Sequence, residues 1–158
     1  MKTKAIIVDI DGTLADIGHR LEHIKKKPAD WVKFYSKMHL DKPKEDVVEV
    51  IRKLSEEYFV LFVTGRIAVY KAQTLMWLDK YVVGENLTYG LYMRPSKDYR
   101  PDVVIKEEIY KRDIEPIYNV VAVFEDRTRV VDMWRRLGLT CFQVDSWEEK
   151  EGKTNKDI

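Results

Sequence analysis

The chain has 158 residues, of which 45% are hydrophobic and 35% are charged, and its formal net charge is +1 at pH 7. This length supports one well-buried core and is short for two, so we predict a single domain over residues 1–158. The composition argues against disorder, and the balanced charge excludes a general attraction to nucleic acid.

The cysteine content and the apolar stretches of the sequence predict where the protein resides. Cys141 is the single cysteine, which excludes an intramolecular disulfide, and its apolar surroundings at 140–144 predict a buried, inert thiol. No stretch approaches the roughly 18 uninterrupted apolar residues of a membrane span, and the sequence opens with a strand pattern rather than a signal sequence. We therefore expect a cytoplasmic protein that does not enter a membrane.

Two apolar runs in the first half of the chain each end in a polar motif. Residues 5–8 predict a buried strand that continues into Asp9-Ile10-Asp11-Gly12-Thr13-Leu14. Apolar residues at helical spacing in 47–54 predict a helix of about 13 residues. Residues 59–63 predict a second strand, which ends at Thr64-Gly65-Arg66. Each of these strands therefore leads into polar side chains.

The middle of the chain has weaker patterns. A helix should run toward Gly84, and residues 86–93 predict a short strand. Asp102 then has the character of an N-cap, for a helix that Pro116 stops.

The last third of the chain repeats the arrangement of strand, polar motif and helix. Residues 119–124 predict a strand that ends at Glu125-Asp126-Arg127. Thr128 can cap the helix that follows, and Gly138 closes that helix at the C′ position. Residues 140–144 predict the final strand.

This alternation of strands and helices predicts an α/β fold, with a Rossmann-like parallel sheet and helices on both faces. Parallel strands present their carboxyl ends at one edge, so the three polar motifs should meet there. Residues 14–43 form a small helical cap inserted after the first strand, beside that edge. The charged residues 148–158 should form a flexible tail.

Asp9 and Asp11 are the most informative residues of this edge. An isolated Asp-x-Asp is also typical of a solvated turn, but here it follows a buried strand, and Gly12 permits a sharp turn. In an extended segment the two carboxylates point to the same side and can share one substrate. Such a pair can divide the work of a nucleophile and a general acid/base.

The three motifs together predict phosphoryl transfer through an aspartyl-phosphate. Asp9 would attack phosphorus, and Asp11 would protonate the leaving oxygen and later activate water. Mg²⁺ would be held by Asp9, the main-chain carbonyl of Asp11, and Asp126. Thr64 and Lys106 would bind phosphate oxygens, although Lys106 also fits an ordinary lysine on a helix surface.

These motifs resemble those of the haloacid dehalogenase (HAD) superfamily of aspartate-nucleophile phosphatases. A closer likeness is to the 3′-phosphatase domain of phage-type polynucleotide kinase/phosphatase. It rests on 9–14 with Arg20 downstream, on 64–66, on Asp102-Val103-Val104-Ile105-Lys106-Glu107-Glu108-Ile109, and on 125–128 with its continuation to Arg136.

The resemblance implies a HAD-like fold and a set of site residues. The catalytic residues are Asp9, Asp11, Thr64 and Lys106. The implied substrate-binding residues are Gly12, Thr13, Arg20, Gly65, Arg66, Arg94, Arg100 and Arg127. Asp102 and Glu125 are implied to orient their neighbours. Glu125 stands where the family usually has Asp, so it can ligate the metal directly, act through water, or neutralise Lys106.

The function that the resemblance implies is a Mg²⁺-dependent phosphatase for 3′-phosphates of DNA or RNA ends, with 2′,3′-cyclic ends as a further candidate. A phosphatase for free nucleotides is the alternative. A phospho-accepting signalling domain is a third, although such a domain has no use for Asp11. The sequence contains no Gly-x₄-Gly-Lys-Ser/Thr motif, so we expect 5′-kinase activity to come from another protein or to be absent. A separate kinase or ligase is a candidate partner in end repair.

Residues 17–44 have eight basic and three acidic residues, an excess of five positive charges. Trp31, Phe34 and Tyr35 lie among the lysines, so the segment can grip a nucleic-acid backbone and stack on a terminal base. The alternative is an amphipathic helix whose aromatic side chains face the core, together with Met38.

Overall fold

The computed structural model describes residues 1–84 and 87–146, and a five-stranded sheet forms its centre. The strands in chain order are β1 (Thr3–Val8), β2 (Ala15–Asp16), β3 (Lys42–Pro43), β4 (Phe59–Ile67), β5 (Tyr89–Arg94), β6 (Tyr118–Glu125) and β7 (Cys141–Gln143). The sheet order is β5-β4-β1-β6-β7, and every neighbouring pair is parallel. β1 is central, so the polar residues after it have strand ends on both sides.

Helices cover both faces of this sheet. They are α1 (Glu22–Lys25), α2 (Trp31–Ser36), α3 (Glu45–Leu54), α4 (Lys71–Tyr81), α5 (Asp102–Ile109) and α6 (Thr128–Arg136). Side chains alternate along a strand, so β1 contributes Ile6 and Val8 to one core and Ala5 and Ile7 to the other. The first core includes residues of α3 and α4, and the second includes residues of α5 and α6. The predicted α/β fold is confirmed.

The segment 14–43 leaves the sheet directly after β1 and returns before α3. Its ends are joined by β2 and β3, which pair antiparallel with Ala15 opposite Pro43. Between them lie α1, α2 and two short 3₁₀ turns. Phe34, Tyr35 and Met38 are buried, as the amphipathic pattern predicts, but Trp31 is 41% exposed.

Several predicted boundaries differ from the structure. Pro101 and Arg127 hold the N-cap positions, so Asp102 and Thr128 are first helical residues rather than caps. Asp102 accepts a hydrogen bond from Arg94 instead, and the hydroxyl of Thr128 accepts one from Gln143. These tertiary partners replace the capping bonds.

β4 is also longer than predicted. It continues through 64–66 to Ile67, with an irregular pairing to β5 between Thr64 and Ile67. α3 has 10 residues rather than about 13. Gly138 follows the C-cap Leu137 with a φ of +82°, as predicted. The start of the strand predicted at 86–93 and the tail at 148–158 lie outside the described residues.

No helix in the described ranges 1–84 and 87–146 is both long enough and apolar enough to span a bilayer.

Candidate active site

The site lies where β1 and β6 end. The backbone N–H of Asp9 donates to the carbonyl of Phe124 at 3.0 Å, which extends the pairing of the two strands by one step. Glu125 is the last residue of β6, and Asp126 follows it. The sheet thereby brings together carboxylates that are more than 110 residues apart in sequence.

Asp9, Glu125 and Asp126 form a buried acidic cluster in which one oxygen of each lies within 4.8 Å of the others. The hydroxyl of Thr13 lies 3.2 Å from Oδ2 of Asp9 and 3.2 Å from Oδ1 of Asp126, so it can donate to either one. Gly12 passes beside this cluster with a φ of +87°, and a Cβ there would collide with the carboxylate of Asp126. The turn therefore needs glycine for both its conformation and its space.

Lys106 supplies the positive charge within this cluster. Its Nζ donates to Oδ1 of Asp9 at 2.7 Å and to Oε2 of Glu125 at 2.8 Å, and it lies 3.5 Å from Oδ2 of Asp102. The side chain is only 1% exposed, so Lys106 is not an ordinary surface lysine. Glu125 contacts Lys106 and also belongs to the acidic cluster, so the three roles considered for it stay predictions. Asp102 lies one helical turn before Lys106, and its role as an orienting residue stays a prediction.

The three carboxylates of this cluster outnumber the ammonium group of Lys106, which contacts Asp9 and Glu125. Burial, and then the charge of Glu125, raise the pKa of Asp9 to about 7, although Lys106 opposes the rise. Burial and the charges of Glu125 and Asp9 also raise the pKa of Asp126 well above its ordinary value. A hard cation takes carboxylate and carbonyl oxygens as ligands and relieves such repulsion. The residues present therefore fit a divalent cation.

Asp11 lies in the opposite electrostatic environment. Its Oδ1 accepts hydrogen bonds from Nη2 of Arg20 at 2.8 Å, and from Nε and Nη2 of Arg66 at 3.0 and 2.6 Å. Burial alone would raise the pKa of Asp11, but the charges of Arg20 and Arg66 outweigh it and lower the pKa to about 2. Asp9 and Asp11 are two residues apart, yet the pKa of Asp9 lies above the ordinary value of an aspartate and that of Asp11 lies below it.

Asp41 completes this arrangement, and sequence reasoning missed it. Arg20 donates to both oxygens of Asp41, from Nε at 2.8 Å and from Nη2 at 2.7 Å, and Nη2 of Arg66 lies 3.2 Å from Oδ2. The carbonyl of Asp41 accepts the indole N–H of Trp77 at 2.9 Å. In the sequence Asp41 is one acidic residue of a basic segment, and no motif distinguishes it. The one local feature that could have drawn attention to Asp41 is that it directly precedes Lys42-Pro43, the residues of β3.

The predicted substrate-binding arginines fall into two groups. Arg20 and Arg66 are buried on Asp11 and Asp41, and Arg20 also packs over the ring of Phe34 at 4.2 Å. The remaining three lie around the loop before α5 and the start of α6. Arg94 donates to the carbonyl of Gly65 and to Asp102, and Arg127 lies 3.7 Å from Asp102.

Arg100 is the most exposed of these arginines, with contacts to Asp98 and Glu108. Arg100 therefore lies at the rim of the site rather than in its buried centre.

Thr64 and Gly65 lie within β4, beside the acidic cluster in the sheet. Thr64 is 1% exposed, and its hydroxyl accepts the backbone N–H of Arg66 at 3.2 Å. A Cβ at Gly65 would collide with Oδ1 of Asp102, so no other residue fits there without movement of that carboxylate. Gly65 therefore controls how closely α5 approaches β4.

A cavity of about 470 Å³ opens onto Asp9 and Asp11. Most of its apolar lining comes from the segment 14–43, namely Ile17, Leu21, Ile24, Trp31, Phe34 and Tyr35, and the rest comes from Ile67, Tyr99 and Pro101. Its basic lining consists of Arg94, Arg100, Arg127 and Arg129. Such a volume is within the range of small-molecule sites in proteins. The arrangement can accept a phosphate next to two carboxylates, with an apolar group beside it.

Comparisons with known proteins agree with this description. The family model of the polynucleotide kinase PNKP phosphatase domain, HAD_PNKP, matches residues 3–148. A putative bifunctional polynucleotide kinase/RNA ligase of Autographa californica nuclear polyhedrosis virus is 31% identical over 144 residues, which are 89% of this chain and 19% of the viral protein.

Solved structures extend the comparison. A chain of the Pnkp1/Rnl/Hen1 complex has 35% identity and a TM-score of 0.75, over 91% of this chain and 46% of that one. The class C acid phosphatase of Bacillus anthracis with tungstate bound has 14% identity and a TM-score of 0.61, over 99% and 75% of the two chains, and shares the fold. The chain spans less than half the length of the first two relatives.

Proposed function

Because the chain belongs to the family of PNKP phosphatase domains, we propose that it is a Mg²⁺-dependent phosphatase that removes the 3′-terminal phosphate from DNA or RNA ends. The observation that carries the proposal is the contrast between Asp9 and Asp11. Asp9 lies in an acidic cluster beside Lys106, and Asp11 lies between two arginines. Two carboxylates with opposite surroundings suit two different roles in one reaction.

In the first step, a carboxylate oxygen of Asp9 forms a bond to phosphorus. The bond between phosphorus and the 3′-oxygen breaks, its electron pair stays on that oxygen, and Asp11 supplies the proton. In the second step, Asp11 takes a proton from water as the water attacks phosphorus. Phosphate leaves and the carboxylate of Asp9 is restored. Thr64 and Lys106 bind the non-bridging oxygens, where negative charge is carried through both steps.

The protonation of Asp11 changes during this cycle. In the free protein Asp11 is an anion, since Arg20 and Arg66 lower its pKa to about 2. That form is the base that the second step requires. A dianionic phosphate bound beside Asp11 is a like charge that raises its pKa, which favours the protonated form needed in the first step. Arrival of the substrate thereby favours the acid form of Asp11, and transfer of that proton to the 3′-oxygen in the first step leaves the base that the second step requires.

Asp9, Asp126 and the main-chain carbonyl of Asp11 would hold the Mg²⁺ ion. The excess of buried carboxylates around Lys106 supports this assignment. When bound, the cation supplies positive charge that offsets the repulsion between an anionic carboxylate and an anionic phosphate. Glu125 stays with Lys106 and with the backbone N–H groups of Asp126 and Arg127.

Support for a nucleic-acid substrate comes from the relatives and from the cavity. The viral relative is described as a polynucleotide kinase/RNA ligase, and the Pnkp1/Rnl/Hen1 assembly as an RNA repair complex. The cavity has a basic lining beside the two aspartates. Kinase and ligase steps of end repair would then be supplied from outside these residues.

The test is turnover of an oligonucleotide that ends in a 3′-phosphate, measured with Mg²⁺ and with a chelator. The matching 3′-mononucleotide and an RNA with a 2′,3′-cyclic end serve as comparison substrates. We expect Mg²⁺-dependent release of phosphate, with the oligonucleotide preferred to the mononucleotide. Equal or better turnover of the mononucleotide would instead support a nucleotidase.

A further inference from the structure

Three aromatic rings stack in a row beside the cavity. Tyr35 stacks on Tyr70, with ring centroids 4.9 Å apart and an interplanar angle of 22°. Trp31 stacks on Tyr35 at 6.2 Å and 29°. Tyr35 is 8% exposed, whereas Trp31 at the end of the row is 41% exposed. The row therefore presents an indole ring to solvent, with the buried ring of Tyr35 and the half-buried ring of Tyr70 behind it.

The position of Trp31 is fixed by contacts on its own helix. It is the first residue of α2, and the side chain of Asp30 caps this helix by accepting the backbone N–H of Lys33 at 2.9 Å. Phe34, on the next turn, packs edge-on against Trp31 at 5.7 Å. An aromatic side chain that is held in this way loses little conformational freedom when a flat ligand binds.

The same helix is coupled to the reacting groups. The guanidinium group of Arg20 lies 4.2 Å above the ring of Phe34 and donates to Asp11 at 2.8 Å. Trp31, Phe34 and Asp11 line one cavity. A phosphorylated group bound at Asp11 thus extends into a space that has aromatic lining.

The chemistry of the cavity lining indicates what occupies that space. A phosphate requires only the polar part of the cavity, where Arg94 and Arg127 accompany the two aspartates. The apolar part is of no use to a phosphate, and it suits a flat, weakly polar group attached to one. A nucleobase linked through its sugar to the phosphate has these properties, and base stacking on aromatic rings tolerates any of the four bases.

We infer that the segment 14–43 contains a binding site for the terminal nucleobase, and that the exposed face of the Trp31 indole is its stacking surface. The inference rests on the proposed function, because it names how the substrate of the same site is held. It makes Trp31 a residue that binds substrate without taking part in phosphoryl transfer.

The test compares substrates that differ only in the terminal base. The first oligonucleotide ends in an ordinary 3′-phosphorylated nucleotide, and the second ends in a 3′-phosphorylated abasic residue. For Trp31→Ala we expect KM to rise about 5- to 20-fold on the first and to change less than about twofold on the second, in the range of one lost stacking contact. kcat should change little. A 3′-mononucleotide arm determines whether a free nucleotide uses the same site.

Two further variants act as controls. Trp31→Phe keeps an aromatic ring and should retain most of the affinity. Val32→Ala changes the next residue of α2, which is 74% exposed, and should leave KM unchanged. An equal rise in KM on both oligonucleotides for Trp31→Ala, or no rise on either, would overturn the inference.

A binding measurement separates this inference from the proposed function. In the presence of a chelator, fluorescence anisotropy should detect tighter binding of the base-bearing oligonucleotide than of the abasic one, and Trp31→Ala should remove the difference. Loss of the difference supports the nucleobase site whatever the turnover is, whereas equal binding of both oligonucleotides by the unchanged protein contradicts it. Failure of the proposed function is recognised independently, by the lack of phosphate release from both oligonucleotides with Mg²⁺.

Discussion

Asp41 offers the sharpest test of the arrangement around Asp11. Its side chain is fully buried, and it accepts hydrogen bonds from Arg20 and Arg66, with His19 Nε2 also 2.8 Å from Oδ1. Asp11 and Asp41 together balance the charges of the two buried arginines. Asp41→Asn keeps the shape of the side chain but leaves one of these positive charges without a counterion.

The size of the effect follows from this imbalance. Removal of one partner from a buried ion pair costs about 3–5 kcal/mol. Burial of the Asp41 carboxyl raises its pKa, and this opposes part of what the Arg20 bonds contribute. We therefore expect the lower end of that range, about 3 kcal/mol of unfolding free energy, which is a large share of the 5–15 kcal/mol typical of a domain.

The same variant should impair the proton transfer. With Asp41 neutral, both arginines act on Asp11 alone, so the pKa of Asp11 falls and a smaller fraction of it carries the proton that the first step requires. We expect kcat to fall about tenfold or more on a 3′-phosphorylated oligonucleotide, but much less on an aryl phosphate, whose leaving oxygen needs little protonation.

Urea unfolding and steady-state kinetics measure the two effects. Asp132→Asn removes the same charge from an exposed position on α6 and should change neither. Stability within 1 kcal/mol of the unchanged protein, or an equal loss of kcat on both substrates, would refute the role assigned to Asp41.

Three further predictions follow from the same site. Gly65→Ala pushes the new Cβ against Asp102, so it should lower the free energy of unfolding in urea by about 1–3 kcal/mol and remove most of the activity. Gly84→Ala is the control, because no atom lies within 4 Å of its new Cβ, and it should lower both the stability and the activity less. The low pKa of Asp11, about 2 in the folded protein, contributes about 2 kcal/mol of stability above pH 4 that is lost as pH falls toward 2, and Asp11→Asn should lack this part of the acid transition. The raised pKa of Asp9, about 7, has the opposite sign, since stability falls from pH 4 to pH 7 as the proton leaves. Mg²⁺ should thus raise the thermal midpoint more at pH 8 than at pH 5, and an equal shift at both would contradict a carboxylate site.

The sheet and its polar edge were predictable because the signals are local. Buried parallel strands are continuous apolar runs, and the residues that follow each run mark the carboxyl edge. Asp9, Glu125 and Asp126 meet for this reason. The end of α6 was predictable in the same way, because Gly138 adopts the positive φ that is favoured just after a helix.

The missed features depend on tertiary contacts. Asp102 is a helix-start residue by type, but its carboxylate lies with Arg94 and Lys106, so Pro101 holds the cap position. Asp41 has no neighbouring motif, and its role exists only because the segment 14–43 folds back beside β4. The charge of an insertion is visible in a sequence, whereas the partner of each charge is not.

The measurement that tests the central claim most directly is the hydrolysis of a 3′-phosphorylated oligonucleotide by Asp9→Asn in the presence of Mg²⁺. The amide is nearly the same size as the carboxylate but is not an effective nucleophile, and burial raises the pKa of Asp9, so the variant should fold at least as stably as the unchanged protein. We predict a loss of at least about 1000-fold in kcat, with a thermal midpoint no lower than that of the unchanged protein. A folded Asp9→Asn protein that retains more than a tenth of the activity would contradict the aspartyl-phosphate mechanism.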